Sequence, residues 1–462
     1  MQNLIDRLSA WFNDRVLIRV LRNSTYLILS NLISVFLTIF ITRKLGVYNY
    51  GVLGLITSYV TNINKLFSFR MNEVVVRYVG EAYVNQDHQK TGAMIKFAAG
   101  VEAITSLFAF LFMVCTARLG ARFFLKDPEL DNLILFYGVS ILGGMIMETA
   151  NGILRVINRY RSIALVSFFQ NVIVALIVFF ASRQNLGLIG ILSAYLIGKI
   201  ILGVVPVILC FLWLPNVIGK KWWQAPISII DNKKSILKFT VSTNISSTIN
   251  LFARDGELLW VGALLTPLQA GYYKTAMTVI NMVLTPINPL IDTSYPEMNR
   301  AIIQKNWTKI RRLLRKITTI SAVWTSAAFI GLLLFGRPLL FHQVSLPGFS
   351  FQIFKEEFLP AYDIIMILMF GYGTANILFW NRTLLLTFSE ADYATTVSFY
   401  TMLAKMFMTI VFVPRGAYYI EAILLSAYLA VSVLIMTFRG LYDLKQAEKQ
   451  TDPVPVKKRK TA

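Results

Sequence analysis

The sequence predicts an all-α, polytopic membrane protein of about 12 transmembrane helices, arranged as two six-helix lobes. Three observations carry this expectation. Long apolar stretches, such as residues 25–41, 97–115 and 417–437, recur roughly every 30 residues, and a helix needs about 20 apolar residues to cross a ~30 Å hydrocarbon core. Of 462 residues, 56% are hydrophobic and only 15% charged, with a mean hydropathy of +0.60. A water-soluble globule of this size would carry too much apolar surface. Finally, one half of the chain echoes the other.

Ahead of the first span, Leu4, Leu8, Trp11, Phe12 and Val16 recur at helical spacing among charges, which predicts a cytoplasmic interfacial helix over residues 1–24. The segment lacks a short apolar core with a small-residue cleavage site, so no removable signal peptide is expected. Spans follow near 25–42, 49–68, 95–116, 132–154, 162–182, 187–213, 239–264, 270–292, 316–340, 360–386, 393–413 and 417–438. Polar residues interrupt the second and seventh, which are the weakest. Spans one to six make an N-lobe over 25–213, and spans seven to twelve a C-lobe over 239–438. Residues 214–238, with Trp222, Trp223 and several lysines, read as a cytoplasmic inter-lobe linker. Residues 439–462 read as a basic cytoplasmic tail, whose Lys457, Lys458, Arg459 and Lys460 suit anionic lipid better than a nuclear signal.

Orientation follows from the loops, because Lys and Arg are retained on the cytoplasmic side. Arg7, Arg15, Arg19 and Arg22 precede span one, Arg70, Arg77, Lys90 and Lys96 surround the loop between spans two and three, and Arg155, Arg159 and Arg161 follow span four. Lys220, Lys221, Lys233, Lys234 and Lys238 follow span six, and Arg300 to Lys316 supplies seven more cations after span eight. The opposite side is sparse. This places both termini in the cytoplasm and the protein in the cytoplasmic (inner) membrane, among membrane lipids. The net charge of +21 does not point to nucleic acid, because the cations lie between apolar segments rather than on one folded domain. Cys115 and Cys210 fall inside apolar segments and read as two buried thiols, with no disulfide framework or metal cluster.

The internal repeat shows in two places. The stretch from Leu45 to Gly51 joins spans one and two, and that from Leu265 to Gly271 joins spans seven and eight, an offset of 220 residues. At an offset of 219, Asn85 to Lys90 faces Gln304 to Lys309. In each half a Gly-containing outside turn follows an odd span and a basic inside loop follows an even one. Six spans plus six in one orientation make parallel repeats related by an axis along the membrane normal.

Polar residues aligned within spans mark the candidate site, since a polar stripe facing lipid is costly. In span seven Thr240, Thr243, Ser247, Asn250, Arg254 and Glu257 advance by three or four, which places them on one helix face. Span eight repeats this with Lys274, Thr278, Asn281, Thr285, Asn288 and Asp292. Thr57, Thr61, Asn64 and Lys65 mark span two, Asn31, Ser34, Thr38 and Thr42 span one, and Ser398, Thr401, Lys405 and Thr409 span eleven. Helix packing alone accounts for the Ser and Thr residues. Lys274, Arg254 and Lys405 sit too far from their span ends to snorkel. Together with Lys65, Asn281 and Asn31 they are the candidate lining of a hydrated cavity that binds substrate. Arg254 and Glu257 are also spaced to neutralise each other. Asp255 points about 100° away and is placed to seat a cation or pair with Lys199. Glu102, Glu148 and Lys199, isolated within their spans, stay open between buried ion pair and transport role.

Signatures of catalysis are missing from the sequence. His88 and His342 lie in loops with no Ser or Cys placed beside them as a nucleophile. There is no Walker-type phosphate loop, no cofactor is expected, and the longest outside loop, roughly 341–359, is too short for a catalytic domain.

Arg43 to Gly51 (RKLGVYNYG) closing the first hairpin, Ala270 to Ala276 (AGYYKTA), and Glu357 to Asp363 (EFLPAYD) before span ten together resemble the bacterial polysaccharide transporter (O-antigen flippase) family of the multidrug/oligosaccharidyl-lipid/polysaccharide flippase superfamily. The similarity covers nearly the whole chain. It implies a MATE-like two-lobed bundle that moves a prenyl-diphosphate-linked oligosaccharide, of the undecaprenyl-diphosphate type, to the outer leaflet for surface polysaccharide biosynthesis. A polysaccharide polymerase and export machinery are further partners it suggests. In lipid II flippases of this superfamily, basic residues on spans one, two and eight hold the diphosphate. Lys65 and Lys274 resemble two of these positions loosely, but Asn31 and Ser34 stand where an Arg-Asp pair is expected, so lipid II is not the expected cargo. Two other readings remain. A cation-coupled multidrug or small-solute antiporter of the MATE type predicts a titrating carboxylate, for which resemblance to that branch makes Asp255 and Glu257 the candidate coupling-ion residues, and a membrane glycan polymerase or ligase predicts catalytic acids in an outside loop.

Overall fold

The computed structural model describes residues 15–67, 71–230, 236, 240, 244, 245, 247–346, 349–388 and 390–451. Most of the interfacial helix expected over 1–24, part of the linker, and the cluster Lys457 to Lys460 of the tail lie outside this set. The described chain is helical throughout its spans. Its strands are the short antiparallel pair Val344–Leu346 and Phe349–Phe351, where Ser345 faces Ser350.

Among the described residues, nine helical runs are long and apolar enough to cross a membrane. Physical causes reconcile this number with twelve spans. Spans one and two fuse into Arg15–Phe67, interrupted at Gly46, whose φ of 72° supplies a left-handed bend that a residue with a Cβ resists. Spans seven and eight are too polar to qualify: span seven carries Arg254, Asp255 and Glu257 around a π turn at Leu251–Asp255, and span eight carries Lys274, Asn281 and Asn288 and turns at the 3-10 segment Thr285–Ile287, started by Pro286. Large apolar side chains such as Phe108, Leu111, Phe180, Phe211, Phe407 and Phe438 are exposed. In water they would be a liability, whereas lipid solvates them. Cys210 is buried and its thiol donates to the Ala150 carbonyl. Cys115, expected to be buried, is exposed, because it sits on the outward face of span three with Phe108, Leu111 and Phe112.

The chain forms two compact units: Met1–Lys274 with Ile353–Phe358, and Thr275–Gln352 with Leu359–Ala462. In the first, a core of Met71, Val75, Ala98, Ile153, Leu154, Cys210 and Leu214 also takes in Trp222. The start of the segment after span six therefore folds onto this unit, while Trp223 stays exposed. Span four breaks between Gly143 and Met147. Backbone N–H groups left open at the start of its second half, those of Glu148 and Thr149, donate to the two carboxylate oxygens of Glu102 at 2.8 Å each. Glu102 thus caps this helix start from span three. The second unit has its own core of Met298, Ile310, Leu314, Trp380 and Leu384, and its span ten breaks in the same manner, at Leu378–Trp380. There Asn376 donates to Thr325 at 2.9 Å and Trp380 to Thr318 at 2.7 Å.

The repeat is realised in geometry. Gln86 and Lys305, 219 positions apart, have φ of 57° and 53°. The next residues, Asp87 and Asn306, cap the following helices by accepting from Lys90 N–H at 2.9 Å and Lys309 N–H at 3.0 Å. The hairpin repeat goes further, because its copies touch. A Cβ on Gly51 would lie 1.9 Å from the Pro267 carbonyl oxygen, and one on Gly271 would lie 2.3 Å from that of Val47. Gly51 and Gly271, like Val47 and Pro267, are equivalent positions at the 220-residue offset. The contact is therefore reciprocal, as a two-fold relation requires.

Candidate functional site

The charged cluster of the first unit is built on the last turn of Arg15–Phe67 and the π turn Leu251–Asp255. Lys65 Nζ lies 3.1 Å from Asp255 Oδ2, and Arg254 Nε lies 3.3 Å from Asp255 Oδ1. All three side chains keep access to solvent, at 45%, 30% and 48% for Lys65, Asp255 and Arg254, so each pairing contributes little to stability and the cations remain reachable. The π turn sets this arrangement. Its extra residue shifts the helix register, and across it Arg254 is exposed whereas Glu257 is 2% exposed. The single stripe expected from regular helical spacing is broken at this point. Trp260 Nε1 holds the turn by donating to the Phe252 carbonyl at 3.1 Å.

Beside the cluster lies a cavity of about 390 Å³ with a largely apolar wall that includes Tyr59, Ile63, Leu66, Phe124, Leu259 and Trp260. Leu66 and Gly256, the chain neighbours of Lys65 and Asp255, both line it, so the cavity and the charged cluster are built on the same two helical segments.

Lys274 is half-buried in the same unit. Its Nζ lies 4.4 Å from the centre of the Tyr50 ring, and Tyr50 is 1% exposed, which makes the ring a desolvated cation–π partner. The Lys274 stem has room because Gly54 faces it: a Cβ there would meet Lys274 Cδ at 2.6 Å.

The structure thus brings Lys65, Arg254 and Asp255 together and sets Lys274 over Tyr50. Asp255, placed by the sequence to seat a cation or pair with Lys199, pairs with Lys65 and Arg254. Asn31 is exposed on span one, and Asn281 is exposed in the second unit. Lys405 also belongs to the second unit and is closed off: its Nζ lies 2.7 Å from Glu421 Oε1, with side chains 2% and 0% exposed, and Thr409 donates to the other Glu421 oxygen at 2.8 Å. Sequence reasoning missed Tyr50 and Glu421. The Gly51-x-x-Gly54 spacing signals a bare helix face that could accept a long side chain, but nothing local signals a Glu421 partner on the next span.

A family model described as "polysaccharide biosynthesis protein" matches residues 20–302. The chain belongs to the polysaccharide biosynthesis protein family. Within curated proteins this family member is 23% identical over 375 residues to the Inner membrane protein YghQ of Escherichia coli (strain K12), covering 77% of this chain and 98% of YghQ. Among solved structures it superposes on an inward-facing multidrug resistance MATE family transporter of the MOP superfamily with a TM-score of 0.67 at 13% identity, over 93% of this chain and 96% of the other. The lipid II flippase MurJ in an inward closed conformation gives 0.65 at 13% identity, over 93% and 90%. The polysaccharide biosynthesis protein described here is accordingly a multi-pass membrane protein with the MATE-like fold.

Proposed function

We propose that this protein is a flippase, not an enzyme, which carries a prenyl-diphosphate-linked oligosaccharide from the cytoplasmic to the outer leaflet of the cytoplasmic membrane for surface polysaccharide biosynthesis. Family membership supports the pathway. The observation that carries the cargo assignment is that the helical segments lining an apolar cavity also bear the exposed cations Lys65 and Arg254, because a prenyl diphosphate joins an anionic head to an apolar tail. Lys274, held over Tyr50, is a further cation of the same unit suited to the diphosphate, and Asn31 and Asn281 offer hydrogen bonds to sugar hydroxyls. The lobes, 25–213 and 239–438, would rock about the linker 214–238 to alternate access, while the tail of the substrate stays in lipid. Membrane lipids, a polymerase and the export machinery would be its neighbours.

Deleting the gene tests this reading in the cell. Lipid-linked repeat units are expected to accumulate on the cytoplasmic face while surface glycan falls. Normal export from the deletion strain would overturn it. A strain with normal glycan but raised sensitivity to cationic drugs would favour an antiporter in which Asp255 and Glu257 bind the coupling ion.

A further inference from the structure

A second cavity, of about 170 Å³, opens among spans one, four, five and six of the first unit. Ser34, Tyr137, Gln170, Asn171, Tyr195 and Lys199 give it a polar wall. None of them belongs to the Lys65–Asp255 cluster or to the apolar cavity beside it. Lys199 lies about a dozen residues into the helix Gly187–Ile218, roughly 18 Å along its axis and too deep to snorkel to either end.

No carboxylate pairs with Lys199 among the described residues, and the side chains of Gln170, Tyr137 and Tyr195 make no hydrogen bond to any of them. Asn171 is different: its Nδ2 donates to the Ser30 carbonyl at 3.0 Å and to the Ser30 hydroxyl at 2.7 Å. That anchor fixes span five to span one and leaves the amide oxygen uncommitted. Lys199 is exposed to this open space, so an anion entering from outside the protein can meet its charge. The surrounding groups are an amide that both donates and accepts, a second amide oxygen, and two phenols that also offer ring faces. Those are the groups that recognise a hydroxyl-bearing ring.

We propose that this cavity is a glycan subsite for an acidic sugar residue, with Lys199 pairing its carboxylate and Gln170, Asn171, Tyr137 and Tyr195 engaging its hydroxyls. The proposal rests on the flippase reading and adds the class of sugar carried. Among the described residues, Lys199 is the one cation lining this cavity, with Lys65 of the first cluster near enough to act on it electrostatically; one lining cation among hydroxyl-directed groups suits one carboxylate on one ring, and the diphosphate would lie toward Lys65.

Full-length protein in nanodiscs can be titrated with two synthetic probes, undecaprenyl-diphosphate disaccharides that end in glucuronic acid or in glucose. Wild type is expected to bind the acidic probe at least 10-fold more tightly. Lys199→Gln should abolish that preference while leaving the affinity for the glucose probe unchanged, and Lys199→Arg should keep it. Tyr195→Phe, which removes one contact to hydroxyls that both probes share, should weaken both several-fold, and Lys199→Met serves for the charge test if Lys199→Gln does not fold. Equal losses for both probes in Lys199→Gln would assign Lys199 to the diphosphate and overturn the acidic-sugar subsite. Unchanged preference would overturn any role for Lys199 in the cavity. Binding of both probes with no preference in wild type sinks the subsite alone, whereas binding of neither sinks the flippase reading with it.

Discussion

Removing one member of the Lys405–Glu421 pair leaves the other as a buried, uncompensated charge, which costs about 3–5 kcal/mol in comparable cases. Lys405→Gln should therefore lower the amount of folded protein in the membrane and its unfolding temperature, and Lys405→Met/Glu421→Leu should recover much of both. A Lys405→Gln protein of wild-type stability that fails in export would instead make Lys405 a cargo ligand. Lys274 should behave in the opposite way. A charge-assisted bond in a partly dehydrated site contributes about 1.5–3 kcal/mol, roughly 10- to 150-fold in affinity. Lys274→Gln should therefore cripple export at normal abundance, Lys274→Arg should keep much of it, and Tyr50→Phe, which retains the ring, should be milder than Tyr50→Leu. Abundance by immunoblot alongside export separates the cases. Both lysines are legible in the sequence as cations inside apolar spans. Their environments are not, because burial is decided by which span turns toward which: Glu421 is 16 residues from Lys405 and meets it only once spans eleven and twelve pack.

Helix-scale features divide in the same way. Span positions, the hairpin at Leu45 to Gly51 and the turn at Asn85 to Lys90 follow from periodicity and composition. The repeat offsets of 219 and 220 identify positions that adopt the same φ, the same caps and a reciprocal contact. The π turn at Leu251–Asp255 is invisible to a 3.6-residue period, since one inserted residue leaves the apolar pattern intact while Arg254 and Asp255 come out exposed and Glu257 buried. The break in span four was equally hidden, because Glu102 caps it from another helix. The reciprocal glycine contact makes a specific prediction: Gly51→Ala and Gly271→Ala should each force backbone to move and destabilise by more than about 1 kcal/mol. Gly100→Ala, with nothing within 4 Å of the new methyl, should be neutral or stabilising by up to about 1 kcal/mol. Thermal unfolding in detergent compares them; equal effects at all three positions would contradict the close crossing.

For the whole molecule, orientation rests on the distribution of Lys and Arg, and the prediction is cytoplasmic termini with the turns at Gln86 and Lys305 on the same side. Single cysteines at positions 86 and 305, in a Cys115→Ser/Cys210→Ser background, should react with a membrane-impermeant maleimide only after permeabilisation. Labelling of intact cells at either position would invert the topology. The central claim, that this MATE-like protein moves a lipid-linked glycan, is tested most directly in proteoliposomes. They would carry a fluorescent undecaprenyl-diphosphate oligosaccharide, with the fraction exposed to an impermeant quencher followed over time. Purified wild-type protein is predicted to raise the exchange rate well above that of protein-free vesicles, with Lys274→Gln falling back toward the protein-free rate. Exchange no faster than in empty vesicles, from protein that is folded and correctly inserted, would contradict the account.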